Sequence, residues 1–244
     1  HYPSDIELSK KITSQEANID DAQAKKVQEF ELAKNLIEQI AFEARDSEYV
    51  DSKSGVSARL TISAYENLMS AAERRSLINK ESNVNVRISD FTGVVPAITG
   101  KIELVYEGEQ EGPGIVALNL IGKAIRTQFL NYFPNPDEMR KQKTNPYQKI
   151  SDWFGKGNMV DILHDQTEKE YSKVLNEVPG LKDLIVEYQG SSTSQEQLFM
   201  MEFALYGLAE YSLLSKHTLK TGMQFKDLLS SMFTLPEDDF PDQV

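Results

Sequence analysis

From Val27 the chain runs Val27-Gln28-Glu29-Phe30-Glu31-Leu32-Ala33-Lys34-Asn35-Leu36-Ile37-Glu38-Gln39-Ile40-Ala41-Phe42-Glu43-Ala44-Arg45. Val27, Phe30, Leu32, Leu36, Ile37 and Ile40 recur on one side at helical spacing, and Asp20 and Asp21 stand where a helix would open. The pattern predicts a long helix from Asp20 to about Arg45. Upstream, Ser4 and Glu7 have capping-box spacing and predict a first helix to about Ala17. Downstream, Ser52-Lys53-Ser54-Gly55 breaks the chain. A third helix then starts at Ser57 and carries Leu60, Tyr65, Leu68, Met69 and Ala72. It ends in Arg74-Arg75, whose charge suits a helix C-terminus.

Further along, Ser89 or Asp90 caps a short helix from Phe91 to Val95, which Pro96 restricts. Ile98 to Tyr106 suits helix or strand and is read as helix. Pro113 starts a helix to Phe129, and the proline- and lysine-bearing segment 134–146 reads as a linker. Helices are then expected around Trp153 and over Thr167–Val178, Pro179–Tyr188, Ser194–Ser215 and Gln224–Phe233, with an acidic tail from Pro236. The expected fold is all-α, in two bundles: residues 1–110, a connecting helix 111–133, the linker 134–146, a second bundle 147–235 and the tail 236–244.

Of the 244 residues, 40% are hydrophobic and 26% charged, the balance of a folded chain rather than a disordered one. With 26 basic and 38 acidic residues the net charge is −12, which disfavours non-specific binding to nucleic acid or an anionic membrane. Cysteine is absent, so disulfides, thiol catalysis and cysteine-ligated zinc are excluded and a cytoplasmic location is the expectation. No apolar run approaches the ~20 residues of a membrane span. Tyr2-Pro3-Ser4 leads straight into a helical pattern, which reads as a piece of a longer chain.

A phosphate-cradling loop is the first requirement of an ATPase. Gly93 and Gly100-Lys101 are separated by six residues where the loop needs four, and Ile102 replaces the magnesium-binding Ser or Thr. The chain has no P-loop. Gly55-Val56-Ser57-Ala58-Arg59, however, resembles the Gly-Ala-Ser-Pro-Arg motif in the lid of MoxR-like and magnesium-chelatase-like AAA+ ATPases. Tyr2-Pro3 resembles the segment entering that lid, and Ile40-Ala41-Phe42-Glu43-Ala44-Arg45 the helix that ends in Ala-x-Arg. Arg74-Arg75 and Val86-Arg87-Ile88-Ser89-Asp90 resemble the stretch that follows, and Gly100-Lys101-Ile102 falls where the lid ends. Residues 99–112 look like a subgroup named for magnesium chelatase. The resemblance covers roughly the first hundred residues.

What the resemblance implies is a lid and helical extension without the ATP-binding core. Arg59 would be the sensor-2 arginine, with Gly55 and Ser57 on the lid side of an ATP site. A guanidinium keeps its charge and offers paired donors to phosphate oxygens, and a helix start attracts anions. Ala58 departs from the family's proline. ATP and Mg2+ would belong to the parent protein, a homo-hexamer that remodels a partner or inserts metal into it. Its partners would be its own AAA+ core and a von Willebrand factor A-type domain protein. The alternative is a stand-alone helical interaction module with no ATPase role.

The remaining motifs point to structure. Arg74, Arg75 and Arg87 could meet phosphate or a neighbouring subunit, but surface charge is the favoured reading. Lys101 and Glu103 read as a solvated pair. His164-Asp165 lacks the further ligands a metal site needs, and no nucleophile elbow accompanies a Ser-His-Asp set. Leu198 to Leu213 is apolar nearly all round, interrupted by Glu202, and reads as a central helix rather than a partner groove.

Overall fold

The computed structural model describes residues 5–142, 144–190 and 192–228. In it the stripe from Val27 to Arg45 divides in two. Asp20 does cap a helix, accepting from the Gln23 N–H at 2.8 Å, but that helix is the short α2 (Asp21–Lys26). Val27–Gln28 then runs extended as β1 and pairs in parallel with β2 (Val84–Asn85), Val27 against Val84. A β-branched pair buried between strands outweighs local helical spacing. Helix α3 (Glu31–Arg45) follows and buries Leu32, Leu36, Ile37 and Ile40 as predicted.

Helix α1 (Ile6–Glu16) is capped by Asp5, while Ser4, Tyr2 and Pro3 lie outside the described residues. Helix α4 (Arg59–Asn79) buries Leu60, Tyr65, Leu68, Met69 and Ala72 against α1 and α3, and ends at Lys80 with φ 55°. After β2 comes a 3₁₀ helix (Ile88–Val94) and then α5 (Val95–Thr99). Pro96 opens α5 rather than stopping a helix, because a missing N–H costs nothing in a first turn. The segment read as helix from Ile98 to Tyr106 is not one. Leu104 forms an isolated antiparallel bridge with Val50, and α6 (Tyr106–Glu111) starts afterwards.

Helix α7 (Pro113–Phe129) lies between α3 and α12 (Ser194–Glu210) and joins the apolar core. Phe129 at its end meets the rings of Phe133, Tyr147, Phe203 and Tyr211 at 5.0 to 6.2 Å. Residues 134–146, expected as a linker, hold the short α8 (Pro136–Met139). They are tied down at both ends: the Tyr147 hydroxyl donates to the Pro134 carbonyl, and Arg140 donates to the carbonyls of Tyr211 and Ser212. Helices α9 (Gln148–Gly155), α10 (Glu168–Asn176) and α11 (Leu181–Gln189) complete the helical set among the described residues.

The all-α expectation is overturned: helix makes up 61% and strand 10%. Strands β3 (Val160–Leu163), β4 (Leu214–Leu219) and β5 (Gly222–Asp227) form an antiparallel sheet in the order β3-β5-β4. The helix expected from Ser194 to Ser215 stops at Glu210, and the one expected from Gln224 begins inside β5. Residues 229–244, including the rest of that helix and the acidic tail, lie outside the described residues. The sheet needs Gly222. A Cβ there would run into the Ile162 carbonyl oxygen of the partner strand, so only glycine allows β5 to approach β3 so closely.

Candidate functional site

Gly55, Ser57 and Arg59 share one turn at the start of α4. Gly55 has φ 67°, a left-handed conformation that suits glycine. The turn is held from outside: the Arg45 Nε donates to the Val56 carbonyl at 3.3 Å, and Val56 is buried. Ala58, the N-cap residue, has φ −57°. That value lies in the range a proline would impose, so the departure from the family pattern leaves the backbone where proline would put it. The helix starts at Arg59, two residues later than expected, and no side chain caps it. An uncapped helix start presents N–H groups and the positive end of the dipole.

Arg59 is exposed and takes part in no hydrogen bond or ion pair found among the described residues. Behind it the first turn is anchored by Thr61, fully buried, whose hydroxyl meets that of Thr13 at 2.8 Å. Thr13 and Ser9 both donate to the buried carboxylate of Glu38. Burial raises the Glu38 carboxyl above the usual carboxylate range, against the pull of those two hydroxyls. One face of the α4 start is therefore locked by neutral donors, and the other exposes the Arg59 guanidinium to solvent.

No family model, curated protein or solved structure matches the chain.

The other arginines are placed quite differently. Arg74 is the surface residue expected, paired with Asp165 at 3.0 Å. Arg75 and Arg87 are not on the surface: they are 1% and 2% exposed. Arg75 donates to Asp90 at 2.9 Å and to the Asn85 carbonyl at 2.7 Å. Burial works against its charge, but Asp90 outweighs it and holds the pKa above the ordinary value. Arg87 donates to the Gln166 carbonyl at 2.8 Å and to Glu168 at 3.0 Å, and its guanidinium lies 4.0 Å from the Tyr171 ring centroid. Lys101 and Glu103 are both exposed, and the Glu103 carboxylate accepts from Ser54. Asp165 is committed to Arg74, and among the described residues no three acidic or histidine side chains cluster to hold a metal.

The residue sequence reading missed is Glu202, fully buried on α12. Its carboxylate accepts from the N–H groups of Ile88 and Ser89 at 2.7 and 2.9 Å, and from the Tyr171 hydroxyl at 2.8 Å. It caps the 3₁₀ helix across more than a hundred residues of sequence, supplying the acceptors a helix start lacks. Burial pushes its carboxyl up, opposed by Tyr171, Arg87 and Ser89. The signal was present: an acid inside an otherwise apolar helix must be satisfied by something.

Proposed function

We propose that this chain is the lid and C-terminal extension of a magnesium-chelatase-like, MoxR-like AAA+ ATPase whose ATP-binding core lies elsewhere in the parent protein. The observation that carries the reading is Arg59. It stands solvent-facing in the first turn of α4, with no partner among the described residues, on a backbone turn fixed by Gly55 and Arg45. An arginine retained for packing would be buried and paired, as Arg75 is.

In this reading Arg59 reaches from the lid toward ATP held with Mg2+ by the core, where the nucleotide supplies the negative charge that the guanidinium answers. Gly55 and Ser57 shape the lid side of that site. Arg87, Tyr171 and Glu202 tie the lid to the extension, so movement of one moves the other. The parent would be a cytoplasmic homo-hexamer acting on a partner or a metal-receiving protein, with a von Willebrand factor A-type companion. That no helix among the described residues is long and apolar enough to cross a membrane fits this placement.

Two measurements test the reading. The parent gene should encode a P-loop and an acidic Walker B strand upstream of His1; an unrelated domain there contradicts it. The 244-residue chain alone should show no rise in melting temperature with millimolar ATP, because half a site binds weakly. A rise that grows with ATP concentration, as linkage demands, would place a complete nucleotide site in this chain.

A further inference from the structure

The three-stranded sheet has two edges, and the fold treats them differently. The outer edge of β3 is closed by a single side chain. The Leu163 N–H donates to the Gln166 Oε1 at 3.2 Å, and Gln166 Nε2 donates to the Asp161 carbonyl at 3.3 Å. One amide thus takes the positions another strand would use. Among the described residues, the outer edge of β4 has no such plug.

Strands β4 and β5 are joined by the two-residue turn Lys220-Thr221, so Leu219↔Gly222, His217↔Gln224 and Ser215↔Lys226 are the hydrogen-bonded pairs. The backbone N–H and C=O groups of Lys216 and Thr218 therefore point away from β5. They meet no hydrogen-bond partner among the described residues.

Beside this open edge lies a cavity of about 200 Å³ lined by Phe91, Ile115, Leu118, Tyr206, Lys216 and Met223. Ile115 and Leu118 on α7 are 51% and 36% exposed. The Tyr206 hydroxyl, though buried, has no hydrogen-bond partner among the described residues. A buried hydroxyl left unpaired is costly, and an occupant offering a polar group would relieve it. Lys216 is offset by its ion pair with Glu210. Lys123, in an adjoining cavity, and Lys220, at the hairpin tip, are exposed and join no ion pair among the described residues.

We propose that the groove between α7 and the free edge of β4 binds an extended, acidic segment of a partner protein by strand addition. Its main chain pairs with Lys216 and Thr218, an apolar side chain enters the cavity, and acidic flanks meet Lys123 and Lys220. A helix could not satisfy the unpaired backbone groups of β4. A second copy of this chain would present Lys216, His217 and Lys220 at the same edge, and no acidic residue on its β4 to meet Lys123 and Lys220. The chain's own acidic tail carries Pro236 and Pro241, which have no N–H to donate.

The test is selection of a random peptide display library on the 244-residue chain. It should enrich peptides with apolar residues at alternate positions and acidic flanks. A synthesised winner should bind roughly tenfold more weakly to Thr218→Pro, which removes an outward N–H that an edge strand can spare. Leu118→Glu, on an exposed helix face, should weaken it similarly, and the melting temperature of each variant shows whether it is folded. Four results overturn the proposal: no enrichment; peptides indifferent to Thr218→Pro and Leu118→Glu; binding only after residues 229–244 are deleted; or self-association that Thr218→Pro abolishes. The last two would assign the groove to the chain's own tail or to a second copy.

Discussion

Two arginines stand beside helix starts in this protein, and their surroundings are opposites. Arg59 opens α4 in solvent with no partner among the described residues. Arg87 precedes the 3₁₀ helix, buried, with its two terminal nitrogens donating to Gln166 and Glu168 and its face on Tyr171. Sequence gives both the same look, a cation near a cap. The difference lies in what packs behind them. At Arg87 the chain brings α10 and α12 across, and Glu202 completes the cap. At Arg59 no partner comes across among the described residues. The first arrangement uses its charges to hold the fold, and the second exposes a charge that our proposal assigns to a phosphate outside the chain.

The largest expected effect breaks the buried side of the comparison. Glu202→Ala leaves the Ile88 and Ser89 N–H groups without acceptors inside the protein and should cost about 4 kcal/mol. For a domain of this size that lowers the melting temperature by roughly 10 °C, measurable by calorimetry. A loss of a degree or less would mean that water replaces the carboxylate and that the junction is not tight.

Arg87→Ala should cost less, about 2 kcal/mol, because Glu168 is partly exposed and can be solvated once its partner is gone. Denaturant titration checks the ranking, which puts Glu202 above Arg87.

The pH dependence sharpens the same site. Burial raises the Glu202 carboxyl above its ordinary value of 4.5, so the native state holds that proton more firmly than the unfolded chain does. Its contribution is fully present below pH 4.5 and is lost as pH rises through the raised value. Tyr171, Arg87, Asp90 and Arg75 face it from the surrounding elements. The stability difference between wild type and Glu202→Gln, which cannot titrate there, should therefore shrink as pH rises from 4.5. A difference that grows with pH would show that the backbone donors outweigh burial.

Sequence reading succeeded where local signals and tertiary packing agree. The face of α3 from Leu32 to Ile40, the buried side of α4 and the central α12 were all visible in apolar spacing, as was the Asp20 cap. It failed where a distant strand decided the matter. Phe225, Leu228, Leu229 and Met232 have helical spacing, yet Phe225 pairs with Val160 and Lys216 across β3 and β4. Gln224 to Asp227 therefore runs as strand. Val27 was lost to β2 in the same way. The break from Ser52 to Gly55 ahead of α4 was legible because its signal is local. The Glu202 cap was not, because its partners lie more than a hundred residues away.

The smallest stability effect belongs to Arg59. With no partner to lose among the described residues, Arg59→Ala should change stability by at most about 0.5 kcal/mol, the ordinary range for a surface substitution. That small effect makes it the direct test of the account. In the full-length parent protein, the ATP hydrolysis rate and melting temperature of Arg59→Ala should be measured side by side. The account predicts hydrolysis reduced about a hundredfold or more, since one charged donor to a developing phosphate charge is worth several kcal/mol, with the melting temperature nearly unchanged. Unchanged hydrolysis with a lowered melting temperature would make Arg59 a structural residue and contradict it.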